Sequence, residues 1–100
     1  MPSVARLGDL STGHSCFAPT NMVKTPVEKT YFNGFLAGSN NAECQWATHS
    51  CGTVTHPQSE RIPSSSASKT YIEGNLAVRI GDSIADGDAI AQGSINSFIE

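Results

Sequence analysis

No stretch of this chain approaches the ~18 consecutive apolar residues that cross a bilayer as a helix. The opening MPSVARLGDLSTG holds no apolar core of the kind an export signal carries. Synthesis in a cytoplasm is therefore expected, with any departure from the cell by another route. Basic residues are few. Six Lys and Arg lie scattered against nine Asp and Glu, and the formal net charge is −3. That argues against a nucleic-acid partner, which selects for a basic patch. Helix signals are nearly missing, since no apolar run of 3.6-residue period lasts beyond two turns. Cysteine is scarce and odd in number: three residues, without an export signal, read as free thiols or a metal site and not as a disulfide framework. No Gly-rich phosphate loop, no C-x2-C pair and no H-E-x-x-H motif is present.

What remains is short β structure. One hundred residues make a single domain, 1–100. A chain of this size buries only ~60–65% of its unfolded surface, so its core is thin and invites a staple such as a metal, a disulfide or a partner subunit. In TYIEGNLAVRIGD (70–82), Leu76, Val78 and Ile80 alternate with Ala77 and Arg79, the period of a half-buried strand. Gly74-Asn75 is a turn dipeptide, so 70–73 and 76–80 are expected to pair as a hairpin. PQSERIPSSSAS (57–68), polar and proline-bearing, reads as a surface loop. APTNMVKTPVEK (18–29) reads as a long extended connection. The stretch 81–90 carries Asp82, Asp86 and Asp88 but lacks the terminal Glu of a calcium loop, and reads as a turn.

Short repeats organise the chain. KTYFNGFLA (29–37) and KTYIEGNLA (69–77) share six of nine residues at a shift of 40, and SFIE (97–100) is a weaker third copy. ARLGD (5–9) is echoed by VRIGD (78–82). A strand of this size cannot bury a face alone, so three copies are expected to converge, with Tyr31, Tyr71 and Phe98 in equivalent places. The R-[LI]-G-D units are turns, Gly supplying positive φ and Asp bonding its own backbone. The fold class is thus all-β: short strands and hairpins with internal pseudo-threefold repeats.

THSCGTVTH (48–56) concentrates the chemistry. His49, Cys51 and His56 offer three zinc donors on one Gly-containing stretch, and His14 is the remaining histidine. Together they make a His3Cys set, with Cys16 an alternative sulfur donor. Cys44, beside Trp46, reads as a small buried hydrophobe. Catalysis is not favoured, because the nearest carboxylates, Glu43 and Glu60, belong to no metallohydrolase motif. Cys51 with either histidine also lacks an orienting group.

In order and spacing these motifs resemble a PAAR-repeat protein, the small conical tip of contractile injection machines, over nearly the full length. ARLGDLSTGHSCFAPT resembles the family's R-x-G-D-x-x-T-G-H-x-C-x-P-P opening, with Ala18-Pro19 in place of Pro-Pro. KTYFNG, KTYIEG and GSINSFIE resemble its G-S-x-x-V-F-x-N-G repeats. LAVRIGD resembles P-A-A-R-x-G-D, with Leu76 and Val78 replacing Pro and one Ala. THSCGTVTH resembles its H-x-C…H segment. Where the family often has D-C-G, this chain has Ala85-Asp86-Gly87, so the sulfur falls to Cys51 or, as the alternative, Cys16.

The resemblance implies a cone pinned near its apex by a structural zinc on His14, His49, His56 and Cys51. Its base would cap the blunt end of a trimeric β-helical spike, one monomer per trimer, in a phage tail baseplate or a type VI secretion apparatus. The implied role is mechanical membrane piercing and not enzymatic. The implied partners are the spike, an optional separate effector as cargo, and the target-cell membrane, with no nucleic acid. The implied location is a particle assembled in the cytoplasm and delivered outside it. A small zinc-binding adaptor for protein or nucleic acid is the alternative.

Overall fold

The computed structural model describes residues 2–65, 69–85 and 87–99. Asp86, residues 66–68 of the serine-rich stretch and Glu100 of the third repeat lie outside the described residues. Among those described there is no α-helix, only a 3₁₀ turn at Gln58–Glu60. The strands are β1 (Met22–Lys24), β2 (Tyr31–Phe32), β3 (Phe35–Leu36), β4 (Gln45–Trp46), β5 (His49–Cys51), β6 (Val54–His56), β7 (Pro63–Ser64), β8 (Tyr71–Ile72), β9 (Asn75–Leu76), β10 (Ser83–Ile84) and β11 (Asp88–Ala89). All pairings are antiparallel: β1 with β4, β2 with β3, β5 with β6, β8 with β9, and β10 between β7 and β11. The molecule is elongated, 38 × 24 × 22 Å.

Turn chemistry sets the strand ends. In the β8–β9 hairpin Tyr71 faces Leu76 and Ile72 faces Asn75. The turn is therefore Glu73-Gly74, one residue earlier than the Gly74-Asn75 dipeptide suggests. Both turn residues have positive φ, 51° and 90°, as a two-residue hairpin turn of this hand requires. The β2–β3 hairpin repeats this with Asn33 and Gly34 at 57° and 85°. The R-[LI]-G-D turns form as expected. The Asp9 carboxylate accepts the Arg6 backbone N–H at 2.7 Å, and that of Asp82 accepts the Arg79 N–H at 2.9 Å.

Behind the hairpins three segments bridge one another in pairs: Val4 with Arg79, Arg6 with Ala37, and Ser39 with Ala77. Successive residues of an extended chain point opposite ways, and here both sides are covered. Val4, Ala37 and Ala77 enter one core cluster with Val27, Ile72 and Ile99. Ala5 and Val78 enter a second with Met22, Cys44, Trp46, Ile84 and Ile90. The expected alternation of Leu76, Val78 and Ile80 therefore gives way: Ala77 and Val78 are both fully buried, and Ile80 is exposed. Gly38 is glycine because a Cβ there would stand 2.6 Å from Met22 Cε and 2.8 Å from Val78 Cγ2.

Two presumed connections turn out to be structural. The stretch 18–29 contains β1 and the buried Val27. The stretch 57–65 contains β7, the buried Pro63 and the wholly buried Arg61. Local polarity hid both, because the partners that bury them, β4 and β10, are distant in sequence.

Candidate metal centre

The β5–β6 hairpin places His49 directly opposite His56, with Ser50 facing Thr55 and Cys51 facing Val54. Opposed residues of an antiparallel pair share a face, so both imidazoles emerge on one side. Cys51, two residues beyond His49, shares that side. His14 arrives on a tight turn in which His14 and Phe17 exchange backbone hydrogen bonds at 3.1 and 2.8 Å. Ser15 inside that turn has φ 53°. Gly13 before it has φ 74°, and a Cβ there would meet the Phe17 carbonyl oxygen at 2.8 Å.

The three histidines converge. Their donor nitrogens lie within 4.8 Å of one another, and His49 Nε2 stands 3.0 Å from His56 Nδ1. Two nitrogens on one tetrahedral zinc, each at ~2.0–2.1 Å, stand roughly 3.3 Å apart. The His49–His56 pair stands near that spacing, and a modest closing of the cluster, whose nitrogens lie within 4.8 Å of one another, would let all three share an ion. The outer contact also fits. His49 Nδ1 is 3.0 Å from the Ala18 carbonyl oxygen. A carbonyl only accepts, so Nδ1 carries the proton, and a neutral ring keeps its Nε2 lone pair toward the cluster. Imidazole donors suit zinc, copper, iron or nickel, so the cluster can hold a metal without specifying which.

The structure joins the two candidate sulfurs to each other. Cys16 and Cys51 form a disulfide with a Cα–Cα separation of 5.6 Å, tying the His14 turn to the β5–β6 hairpin. Their odd count argued for free thiols. Yet each lies two residues past a clustered histidine, so the contacts that gather His14 and His49 also bring Cys16 and Cys51 together. Cys44 is free, buried, and 3.8 Å from Met22 Sδ. Burial pushes its thiol up to about 11, in keeping with a packing role. Glu43 is exposed and pairs with Lys24 at 2.6 Å, and Glu60 is exposed on the 3₁₀ turn. Among the described residues the cluster contains neither carboxylate.

Two supporting features escaped sequence reasoning. Phe17 packs its ring against all three imidazoles, with centroids 4.8 Å from His14, 4.8 Å from His49 and 4.1 Å from His56. Its place directly after H-x-C was the only hint. The second feature is the buried ion pair of Arg61 with Asp88. Arg61 also donates to the Ala47 carbonyl at 2.5 Å and to the Thr20 hydroxyl, while the Thr12 hydroxyl donates to Asp88 at 2.9 Å. Thr12, Ala47 and Thr20 lie two residues from His14, His49 and the Ala18 carbonyl respectively. The pair thus braces each segment that positions those groups. Burial alone would raise the Asp88 carboxyl. Hydrogen bonds from Ser11, the Ala89 N–H and Thr12, with the Arg61 charge, outweigh it and hold the group below the usual carboxylate range.

No family model matches the chain, and no curated protein matches it.

Proposed function

We propose that this chain is a structural tip of a contractile injection machine. In this reading it caps the blunt end of a trimeric β-helical spike, and a structural zinc on the histidine cluster stiffens its point. The observation that carries the proposal is the cyclic pairing of the three core segments. The bridges Val4–Arg79, Arg6–Ala37 and Ser39–Ala77 close on themselves. Corresponding hydrogen bonds run between neighbours: Leu7 N–H to the Leu36 oxygen at 2.7 Å, Asn40 to Leu76 at 2.7 Å, and Ile80 to Ser3 at 2.9 Å. Each segment also receives a strand in the same register: Tyr31 on Leu36, Tyr71 on Leu76, and Phe98 on Ser3. The third unit is thus composed of two bridged segments far apart in the chain, around Ser3 and Phe98. This supports an internal pseudo-threefold, the property that lets one asymmetric chain offer similar edges to three identical subunits.

The contact face follows from the same register. Tyr31, Tyr71 and Phe98 are 58%, 64% and 51% exposed, and Phe35 and Ile95 lie open as well. Exposed aromatics in related positions suit a flat, symmetric, partly apolar partner. Neither the β2–β3 nor the β8–β9 hairpin contributes to the cluster around Trp46 or to the histidines. That separation favours a base at the hairpins and a point at the histidines. The resemblance to PAAR-repeat proteins points the same way, and the reading includes a mechanical, non-enzymatic role on a particle carried out of the cell.

Replacing Tyr31 and Tyr71 together by Asp tests the face. Binding to the trimeric β-helical spike should be lost. Both rings are surface groups, so stability should move by no more than about 0.5 kcal/mol each. Unchanged binding with a folded variant would refute this placement.

A further inference from the structure

The disulfide and the histidine cluster lie on the same two segments, the 14–17 turn and the β5–β6 hairpin. We infer that Cys51 Sγ is shared between two alternative crosslinks of this tip. In an oxidising medium it bonds to Cys16. In a reducing one it serves as the fourth ligand of the metal held by His14, His49 and His56. The inference rests on the metal reading above and adds to it a redox-dependent choice of ligand.

The geometry favours this sharing. Cys51 follows His49 by two residues on β5, so its Sγ leaves the strand on the side from which His49 and His56 emerge. Cys16 bears the same offset to His14, but it sits in a turn behind the positive-φ Ser15. The strand-held sulfur is the better fixed of the two, and the inference assigns it the metal. The chemistry balances as thiol–disulfide exchange. Two equivalents of a cellular thiol reduce the Cys16–Cys51 bond through a mixed disulfide, giving two protein thiols and the reductant's disulfide. Metal binding then releases the Cys51 thiol proton to solvent, because a ligating sulfur is a thiolate. In the reverse direction a small-molecule disulfide takes the two electrons, the metal passes to solvent and the Cys16–Cys51 bond forms. Either way the turn and the hairpin stay connected, by metal in the reducing interior and by the disulfide outside. A particle that crosses that boundary would keep its point crosslinked on both sides.

Cobalt(II) is the probe, added to the full-length chain. The reduced chain should take one equivalent and show a thiolate-to-cobalt charge-transfer band. Glutathione disulfide added to the metal-free chain should produce the Cys16–Cys51 linkage by peptide mapping. That oxidised chain should bind cobalt at least tenfold more weakly, without the band. Cys51→Ser should abolish the band in the reduced chain, and Cys16→Ser should retain it. Equal affinity with no thiolate band in either redox state would overturn the sharing while leaving the metal reading intact. A reduced chain that takes no cobalt would overturn both. Failure of oxidation to link Cys16 with Cys51, or loss of the band in Cys16→Ser and not in Cys51→Ser, would also overturn the assignment. The comparison of redox states uses the unmodified chain, so it holds even where a variant folds poorly.

Discussion

Replacing Asp88 by Asn should be among the most damaging single changes this chain can suffer, although the two side chains have nearly the same shape. Arg61 and Asp88 are both buried to zero exposure and bonded to each other. Asn keeps the volume but removes the charge, leaving the Arg61 guanidinium buried without that carboxylate. Breaking a buried pair from one side costs about 3–5 kcal/mol. Domains of this size hold roughly 5–15 kcal/mol in all, and each kcal/mol moves Tm by about 4–8 °C. The expected fall is roughly 12–40 °C. Trp46 is the sole tryptophan and fully buried, so its fluorescence in thermal and urea unfolding reads the transition. The acid limb gives a second readout. The Asp88 carboxyl is held below its unfolded value. Its contribution is therefore complete above the usual carboxylate range near ~4 and is lost as pH falls through the lower folded value. Asp88→Asn should flatten that limb. If Asp88→Asn unfolds within about 1 kcal/mol of the parent, the buried-pair reasoning fails.

Two further expectations concern packing. Gly93→Ala should cost about 1–3 kcal/mol of unfolding free energy in urea, since the new methyl would meet the Val4 carbonyl oxygen at 2.7 Å and backbone cannot yield as a side-chain end can. A loss below ~0.5 kcal/mol would contradict that close approach. Cys44, buried and with its thiol raised to about 11, should resist alkylation at pH 8 until the chain unfolds. Modification of the native protein at the rate of a free thiol would contradict its packing role.

The features legible in the sequence were those set locally. The R-[LI]-G-D units act through their own backbone, and their turns are where the residues indicate. His14, His49 and His56 could be grouped because scarcity left few other donors. What escaped notice depended on distant partners. Arg61 lies in a polar, proline-bearing stretch, and only the fold brings it to Asp88 and Thr20. Cys16 and Cys51 are 35 residues apart, and counting cysteines says nothing of their meeting. The one-residue error in the 70–82 hairpin arose from reading Gly74 as the first turn residue, when Glu73 also takes positive φ.

The central claim is that one asymmetric chain seats on a threefold partner. Native mass spectrometry of this chain mixed with a trimeric β-helical spike protein measures that directly. The account predicts a single complex of one chain per three spike subunits, unchanged by excess of either component. Three chains per trimer, or no complex with the metal-loaded chain, would contradict it.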